Sequence, residues 1–218
     1  MELELDNSNV VDTYDIDVFS ADPEKKIISA DKFVYELKLR ITDIDDPKEL
    51  KKFIRKCENL IRQSPEYKLF TTYVREVLEV HRCQITGEFH EQTNCDIHHH
   101  PFCLYTLVKG IVCKNMETKK EFCSWDVCLE AIELHYGMKA PFCSLVRSLH
   151  DKFHNGFMKI PIELVNGDKK FFLDTYGKYL EDDDLSPIYD RLKTNWNNCG
   201  WSKDKYWGQD LKNIEEHE

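Results

Sequence analysis

The sequence predicts an α+β fold, and three patterns carry that prediction. Apolar and charged residues alternate from residue 33 to 41, as in a strand with one buried face. Apolar residues then recur three and four positions apart over residues 47–63 and again over 65–78, the spacing of amphipathic helices. Finally, Asn166-Gly167 separates the apolar stretches 157–164 and 170–173, which predicts a β-hairpin.

The boundaries of the elements follow from local signals. Asp46-Pro47 and Ser64-Pro65 each combine a capping residue with a first-turn proline, so they predict the starts of the two helices. The remaining predictions, in chain order, are a short strand at 14–18, a strand entering a glycine turn at 83–87, a strand at 96–102 ended by Pro101, a helix from Asp126 to Tyr136, and a helix over 145–155 ended by Asn155-Gly156.

The acidic residues concentrate at the two ends of the chain. Residues 1–31 hold nine acids and two bases, and residues 181–218 hold ten acids and five bases. Of the net charge of −10, this leaves residues 32–180 near +2, so the middle of the chain could face a phosphate backbone. We therefore predict an N-terminal appendage (1–80) of strands and two helices, a central domain (81–180) and an acidic C-terminal segment (181–218).

The first predicted helix has a basic face formed by four side chains: Lys51, Lys52, Arg55 and Lys56. These residues are candidates for contacts with nucleic-acid phosphates. The alternative is an ordinary solvated helix face, which needs no ligand. The sequence alone does not decide between these two interpretations.

The sequence contains neither a transmembrane stretch nor a secretory signal. No apolar run reaches 18 residues, and the first twenty residues lack an apolar core, so we expect no membrane partner and no secretion. Nine cysteines in such a chain, without a C-x-x-C pair, favour free thiols in a reducing compartment over disulfides. We expect the protein to act in the cytoplasm.

The histidines cluster in the central domain. Eight of the nine lie between residues 81 and 154. His150 and His154 are four residues apart on a predicted helix, so both rings project from one face and could clamp a divalent metal. In the strand, neighbouring side chains point to opposite faces, so one of His98 and His99 could bind the metal while the other reaches toward a substrate.

The spacing of three short motifs resembles the HNH, or ββα-metal, endonuclease family, in particular HNH-like proteins of tailed bacteriophages. The motifs are Cys83-x-Ile85-Thr86-Gly87, Asp96-x-His98-His99-x-Pro101 and His150-x-x-x-His154-Asn155-Gly156. The resemblance covers roughly residues 80–175.

The resemblance implies a site and its roles. His98, His150 and His154 would bind the metal, and His99 would be the general base. The long gap between the motifs implies an insertion at 105–140. The family's middle asparagine, which orients the base, would fall near Pro141, where no asparagine occurs; His135 or the backbone could replace it.

The resemblance implies hydrolysis of DNA phosphodiester bonds by one divalent metal ion, with RNA as an alternative substrate and a host or phage protein as a further partner. Three neutral imidazoles suit Zn²⁺, Ni²⁺ or Mn²⁺ better than Mg²⁺. Asp96 and Asp151 are candidates for carboxylates that orient the histidine ligands. Two other interpretations stay open, namely a non-catalytic binding or regulatory protein of the same fold and a protein with a structural zinc. A strand shifted by one residue would instead make His99 the ligand and His100 the base.

Overall fold

The computed structural model describes residues 46–91, 93–118 and 121–202. This part of the chain is a mixed α/β structure with seven α-helices and one two-stranded antiparallel sheet. The strands predicted at 14–18 and 33–41 lie outside the described residues. The elements in chain order are α1 (Pro47–Gln63), α2 (Pro65–Glu76), β1 (Cys95–His99), α3 (Leu104–Thr118), α4 (Ser124–Tyr136), β2 (Phe142–Val146), α5 (Arg147–His154), α6 (Phe171–Tyr176) and α7 (Asp182–Leu192).

The two proline-led helices begin where their capping residues predict. The Asp46 carboxylate accepts a hydrogen bond from the Lys48 N–H at 2.9 Å, which satisfies a free donor at the start of α1. Ser64 serves two helices, because its N–H donates to the Ile61 carbonyl at the end of α1 and its hydroxyl accepts from the Tyr67 N–H in α2. This shared residue fixes the sharp turn between the helices. Both predicted helices are confirmed.

The sheet pairs β1 with β2, and α5 continues directly from β2. His98 lies opposite Cys143 and His99 opposite Phe142 in the antiparallel register. The predicted helix over 145–155 begins two residues late, because Leu145 and Val146 pair with β1 as the last residues of β2. Helix α5 packs against both strands, so its histidines stand next to those of β1.

The turn at residues 83–87 joins this unit through side-chain and backbone bonds. The predicted strand is reduced to a single bridge between Arg82 and Phe89. Between them the Cys83 N–H donates to the Glu88 carbonyl and the Gly87 N–H to the Cys83 carbonyl. Gln84 then exchanges bonds with Ser144, donating its N–H to the Ser144 carbonyl and accepting the Ser144 N–H with its side-chain oxygen.

The hairpin predicted around Asn166-Gly167 is wrong. Residues 162–164 form a 3-10 turn and residues 171–176 form α6. Asn166 instead pairs with Phe142 through two backbone hydrogen bonds at the edge of β2. Gly167 adopts a φ of +92° and lies so close to the Met138 carbonyl that a Cβ would come within 2.7 Å. The Asn-Gly turn therefore joins two distant segments, a pairing that local sequence does not reveal.

Two hydrophobic cores lie side by side. The larger one is helical and joins α1 and α2 to α3, α4, α6 and α7. The smaller one packs α5 and the 83–87 turn on the sheet. The boundary drawn at residues 80/81 thus separates α1 and α2 from helices with which they share a core. The predicted insertion at 105–140 holds most of α3 and all of α4, which are the centre of the helical core. The acidic segment also contributes to the fold, because Ile188 of α7 is buried in the helical core.

Candidate metal centre

Three histidines from two elements converge at one end of the sheet. His98 comes from β1, and His150 and His154 come from one face of α5. One ligand nitrogen from each ring can be chosen so that all three lie within 4.8 Å of one another. Among the described residues this is the one group of histidine, cysteine and acidic side chains arranged to hold a metal ion. The structure therefore brings together the three residues to which the resemblance assigns the ligand role.

The spacing of the two helical histidines is close to that of two ligands of a tetrahedral ion. The Nε2 atoms of His150 and His154 are 3.1 Å apart. Nitrogen ligands about 2.1 Å from a zinc ion lie roughly 3.4 Å from each other in a tetrahedron. The ring centroid of His98 is 5.0 Å from that of His150 and 5.0 Å from that of His154, so it approaches the pair symmetrically.

The environment of the cluster favours neutral imidazoles, the form that binds metals. Burial, followed by the effect of the neighbouring His150, lowers the pKa of His98 to about 2. Burial also lowers the pKa of His150, followed in size by the effect of His154. The rings of His98 and His150 consequently keep a lone pair for an ion at neutral pH.

Asp96 and Asp151 lie beside the outer nitrogen of His150. His150 Nδ1 is buried and has no hydrogen-bond partner. The nearest carboxylate oxygens are Asp96 Oδ2 at 3.8 Å and Asp151 Oδ1 at 3.9 Å, and Arg147 contacts both acids. A small movement would bring Asp96 to the Nδ1–H of His150 once Nε2 holds an ion. Such carboxylate–histidine pairs are the usual support of a metal ligand.

His99 faces away from the cluster, into the helical core. It is 8% exposed, and its Nε2 lies 3.0 Å from the Tyr67 hydroxyl and 3.4 Å from His135 Nε2. Burial, followed by His135, lowers the pKa of His99 well below its ordinary value, against the opposing effect of a hydrogen bond with the Pro141 backbone. His99 therefore contacts both His135 and the backbone near Pro141. These are the two groups that the sequence offers to orient the base in place of the missing asparagine.

His135 is itself held in one orientation. Its Nδ1 lies 2.6 Å from the Ala131 carbonyl, which can only accept, so Nδ1 carries the proton. Burial lowers the pKa of His135 to about 4, which keeps the ring neutral. Its Nε2 is then an acceptor directed at His99. Tyr67, His99 and His135 thus form a buried polar group that joins α2, β1 and α4.

The comparisons with known proteins identify the family. Residues 1–217 match the bacteriophage G278-like virion protein family. The chain belongs to this family. It is therefore of phage origin, and the match covers the described fold in full. No curated protein and no solved structure matches the chain.

The remaining predicted residues of this virion-family protein lie apart from the cluster. Lys51, Lys52, Arg55 and Lys56 are exposed on α1, which packs against α2, α3 and α4 rather than against β1 or α5. Lys52 pairs with Glu49 at 3.4 Å, and the Arg55 guanidinium lies 5.4 Å from the centre of the Tyr105 ring. The structure does not bring this basic face to the histidines.

Two contributors to the site carry no sequence signal. Tyr67 occupies an apolar position of α2 and reads as an ordinary core residue. Arg191 lies in the acidic segment, 37 residues after His154, yet its guanidinium donates to the Pro101 carbonyl at 3.0 Å. Only the tertiary position of α7 brings Arg191 to the segment that follows β1. Among the described helices, none is long and apolar enough to cross a membrane.

Proposed function

We propose that this phage protein is a metal-dependent endonuclease or nickase that hydrolyses DNA phosphodiester bonds. The convergence of His98, His150 and His154 on one point carries the proposal. The topology supports it, because an antiparallel strand pair leads directly into the helix that supplies two of the ligands. That order is the ββα arrangement that the sequence motifs resemble. In the chain, α3 and α4 are inserted between the two strands, which pair directly with each other.

The proposed site divides the work among named residues. His98, His150 and His154 would hold one ion, with Zn²⁺, Ni²⁺ or Mn²⁺ preferred over Mg²⁺ by an all-imidazole ligand set. When bound, such an ion polarises a phosphate oxygen and stabilises the leaving 3′-oxygen. Asp96 and Asp151 would orient the His150 ring. His99 would accept the proton of the attacking water, as the family resemblance implies. The host cytoplasm is the predicted place of action.

One observation favours a second candidate function. The Nε2 of His99 is directed at Tyr67 and His135 inside the protein, whereas a general base must come within hydrogen-bond reach of water or substrate. This orientation supports a non-catalytic protein of the same fold, in which the metal stabilises the domain and the chain binds nucleic acid or another protein.

A nicking assay separates the two functions. Supercoiled plasmid is incubated with the chain after chelation and after reloading with Zn²⁺, Ni²⁺, Mn²⁺ or Mg²⁺. Metal-dependent conversion to open circles that is lost in His150→Ala but kept in His81→Ala supports the nuclease. His81 is the matched control because it is a histidine outside the cluster, stacked on Phe89. A chain that binds metal at the three histidines but cuts under no condition would reject the nuclease and favour the second candidate.

A further inference from the structure

One buried nitrogen next to the histidine cluster has no partner. His100 is 6% exposed, and its Nε2 forms no hydrogen bond. Its ring centroid lies 6.2 Å from that of His98, consistent with the two side chains leaving the same face of the strand. Buried polar atoms without a partner are uncommon in native proteins, so this nitrogen is a candidate contact for a ligand.

A guanidinium is anchored at the same place. Arg191 Nη1 donates to the carbonyl of Pro101, the residue that follows His100, at 3.0 Å. This bond uses one of the five N–H donors of the side chain, and the planar fork of an arginine matches the oxygens of a phosphate. Burial lowers the pKa of His100 to about 3, and the charge of Arg191 lowers it as well, in keeping with the position of Arg191 at Pro101.

Arg191 is exposed at the end of α7 and takes part in no ion pair among the described residues. The ion pairs of the described residues engage other cations. Asp182, Asp183 and Asp184 occupy the first turn of α7, with Asp184 about 10 Å along the helix from Arg191. Asp190, which directly precedes Arg191, is exposed and takes part in none of these ion pairs. Asp184 already accepts a hydrogen bond from Lys109 at 2.6 Å. Within the described residues, the acidic segment therefore supplies a cation outside these ion pairs, next to the His100-Pro101 segment.

We propose that Arg191 and His100 form a phosphate-binding subsite beside the histidine cluster, which takes one backbone phosphate of a nucleic acid. The inference rests on the proposed function, because it names the residues that would hold the substrate next to the ion. A neutral His100 with its proton on Nε2 donates to one phosphate oxygen, and the remaining guanidinium N–H groups donate to the others. Two donors, one directly after β1 and one on α7, would then fix the orientation of the phosphate.

Phosphate binding can be measured without any cleavage. The full chain is labelled with ¹⁵N and titrated with inorganic phosphate while the imidazole nitrogens are followed by NMR. The signal of His100, assigned by its disappearance in His100→Asn, is expected to shift with saturation. Arg191→Gln is expected to weaken phosphate binding about tenfold or more, because it removes a charge-assisted bond. Arg191→Lys keeps the charge but loses the planar fork, so its phosphate affinity should lie between those of the parent chain and Arg191→Gln.

Lys193→Gln is the matched control. It removes the same charge two residues further along, and Lys193 is exposed at the end of α7. Its phosphate affinity should stay within about twofold of the parent chain, as expected for a solvated charge. A titration of His154→Ala separates phosphate held by a bound ion from phosphate held by the subsite, since the subsite keeps both of its donors in that variant.

Three results would overturn the subsite: no shift of the His100 signal, equal affinities for the parent chain and Arg191→Gln, or an equal loss in Lys193→Gln. Thermal unfolding of each variant shows whether the fold is kept, and Arg191→Lys serves as the test if Arg191→Gln does not fold. Plasmid nicking with an unchanged phosphate affinity in Arg191→Gln rejects the subsite but leaves the nuclease standing. Phosphate binding that depends on Arg191, without any nicking, supports the subsite but rejects the nuclease.

Discussion

Removal of the metal from the three-histidine cluster should lower the thermal stability of the chain by a measurable amount. The ion would bind the folded state alone, because His98 and the α5 pair meet only through the packing of α5 on the sheet. An ion present at 100 times its dissociation constant stabilises such a state by about 2.7 kcal/mol. For a chain of this size each kcal/mol shifts the melting temperature by about 2–4 °C, so chelation should lower it by about 5–10 °C.

His154→Ala provides the decisive variant. It leaves His98 and His150 as two ligands, so metal content should fall well below one ion per chain and the effect of the chelator should nearly disappear. The assay follows unfolding by circular dichroism with EDTA and with added Zn²⁺, beside elemental analysis of protein made without a histidine tag. His81→Ala should keep the full chelator effect. A chelator shift that persists in His154→Ala, or metal content equal to that of the parent chain, would refute the three-histidine site.

Three further predictions concern other parts of the molecule. The buried His135 has a pKa of about 4, so it stays neutral in the folded chain while the unfolded chain takes up its proton near pH 6.5. Its contribution to the free energy of unfolding is thus fully present above about pH 6.5. It is lost as the pH falls toward 4, at about 1.4 kcal/mol per pH unit. In urea unfolding, His135→Gln should therefore reduce the slope of the unfolding free energy against pH by that amount. His99→Ala should leave the metal content unchanged and, under the nuclease proposal, lower the nicking rate about 10²–10⁴-fold. It should also lower the melting temperature, because the ring is buried against Tyr67. An unchanged nicking rate would show that His99 is not the general base. Reversal of Lys52 and Arg55 to Glu should weaken DNA binding and flatten its salt dependence if α1 contacts phosphates, whereas an identical salt slope would assign these charges to the solvent.

Elements with strong local signals could be predicted from the sequence. The start of α1 at Asp46-Pro47 and the junction at Ser64 depend on residues within a few positions of each other, and both are found as predicted. The start of α5 was misplaced because Leu145 and Val146 are set by their partners in β1, 50 residues earlier. The Asn166-Gly167 turn was misread for the same reason, since its pairing partner is Phe142.

The ligand candidates could be identified from the sequence, because the four-residue spacing of His150 and His154 places both rings on one face of a helix. The alternation of side chains along a strand likewise indicated opposite faces for His98 and His99. What lies at each face of the strand depends on long-range packing. Packing of α5 on the sheet puts His98 beside the helical pair, whereas α2 and α4 enclose His99 with Tyr67 and His135. Neighbours of this kind come from segments tens of residues apart, and their positions depend on how the two cores pack rather than on any local pattern.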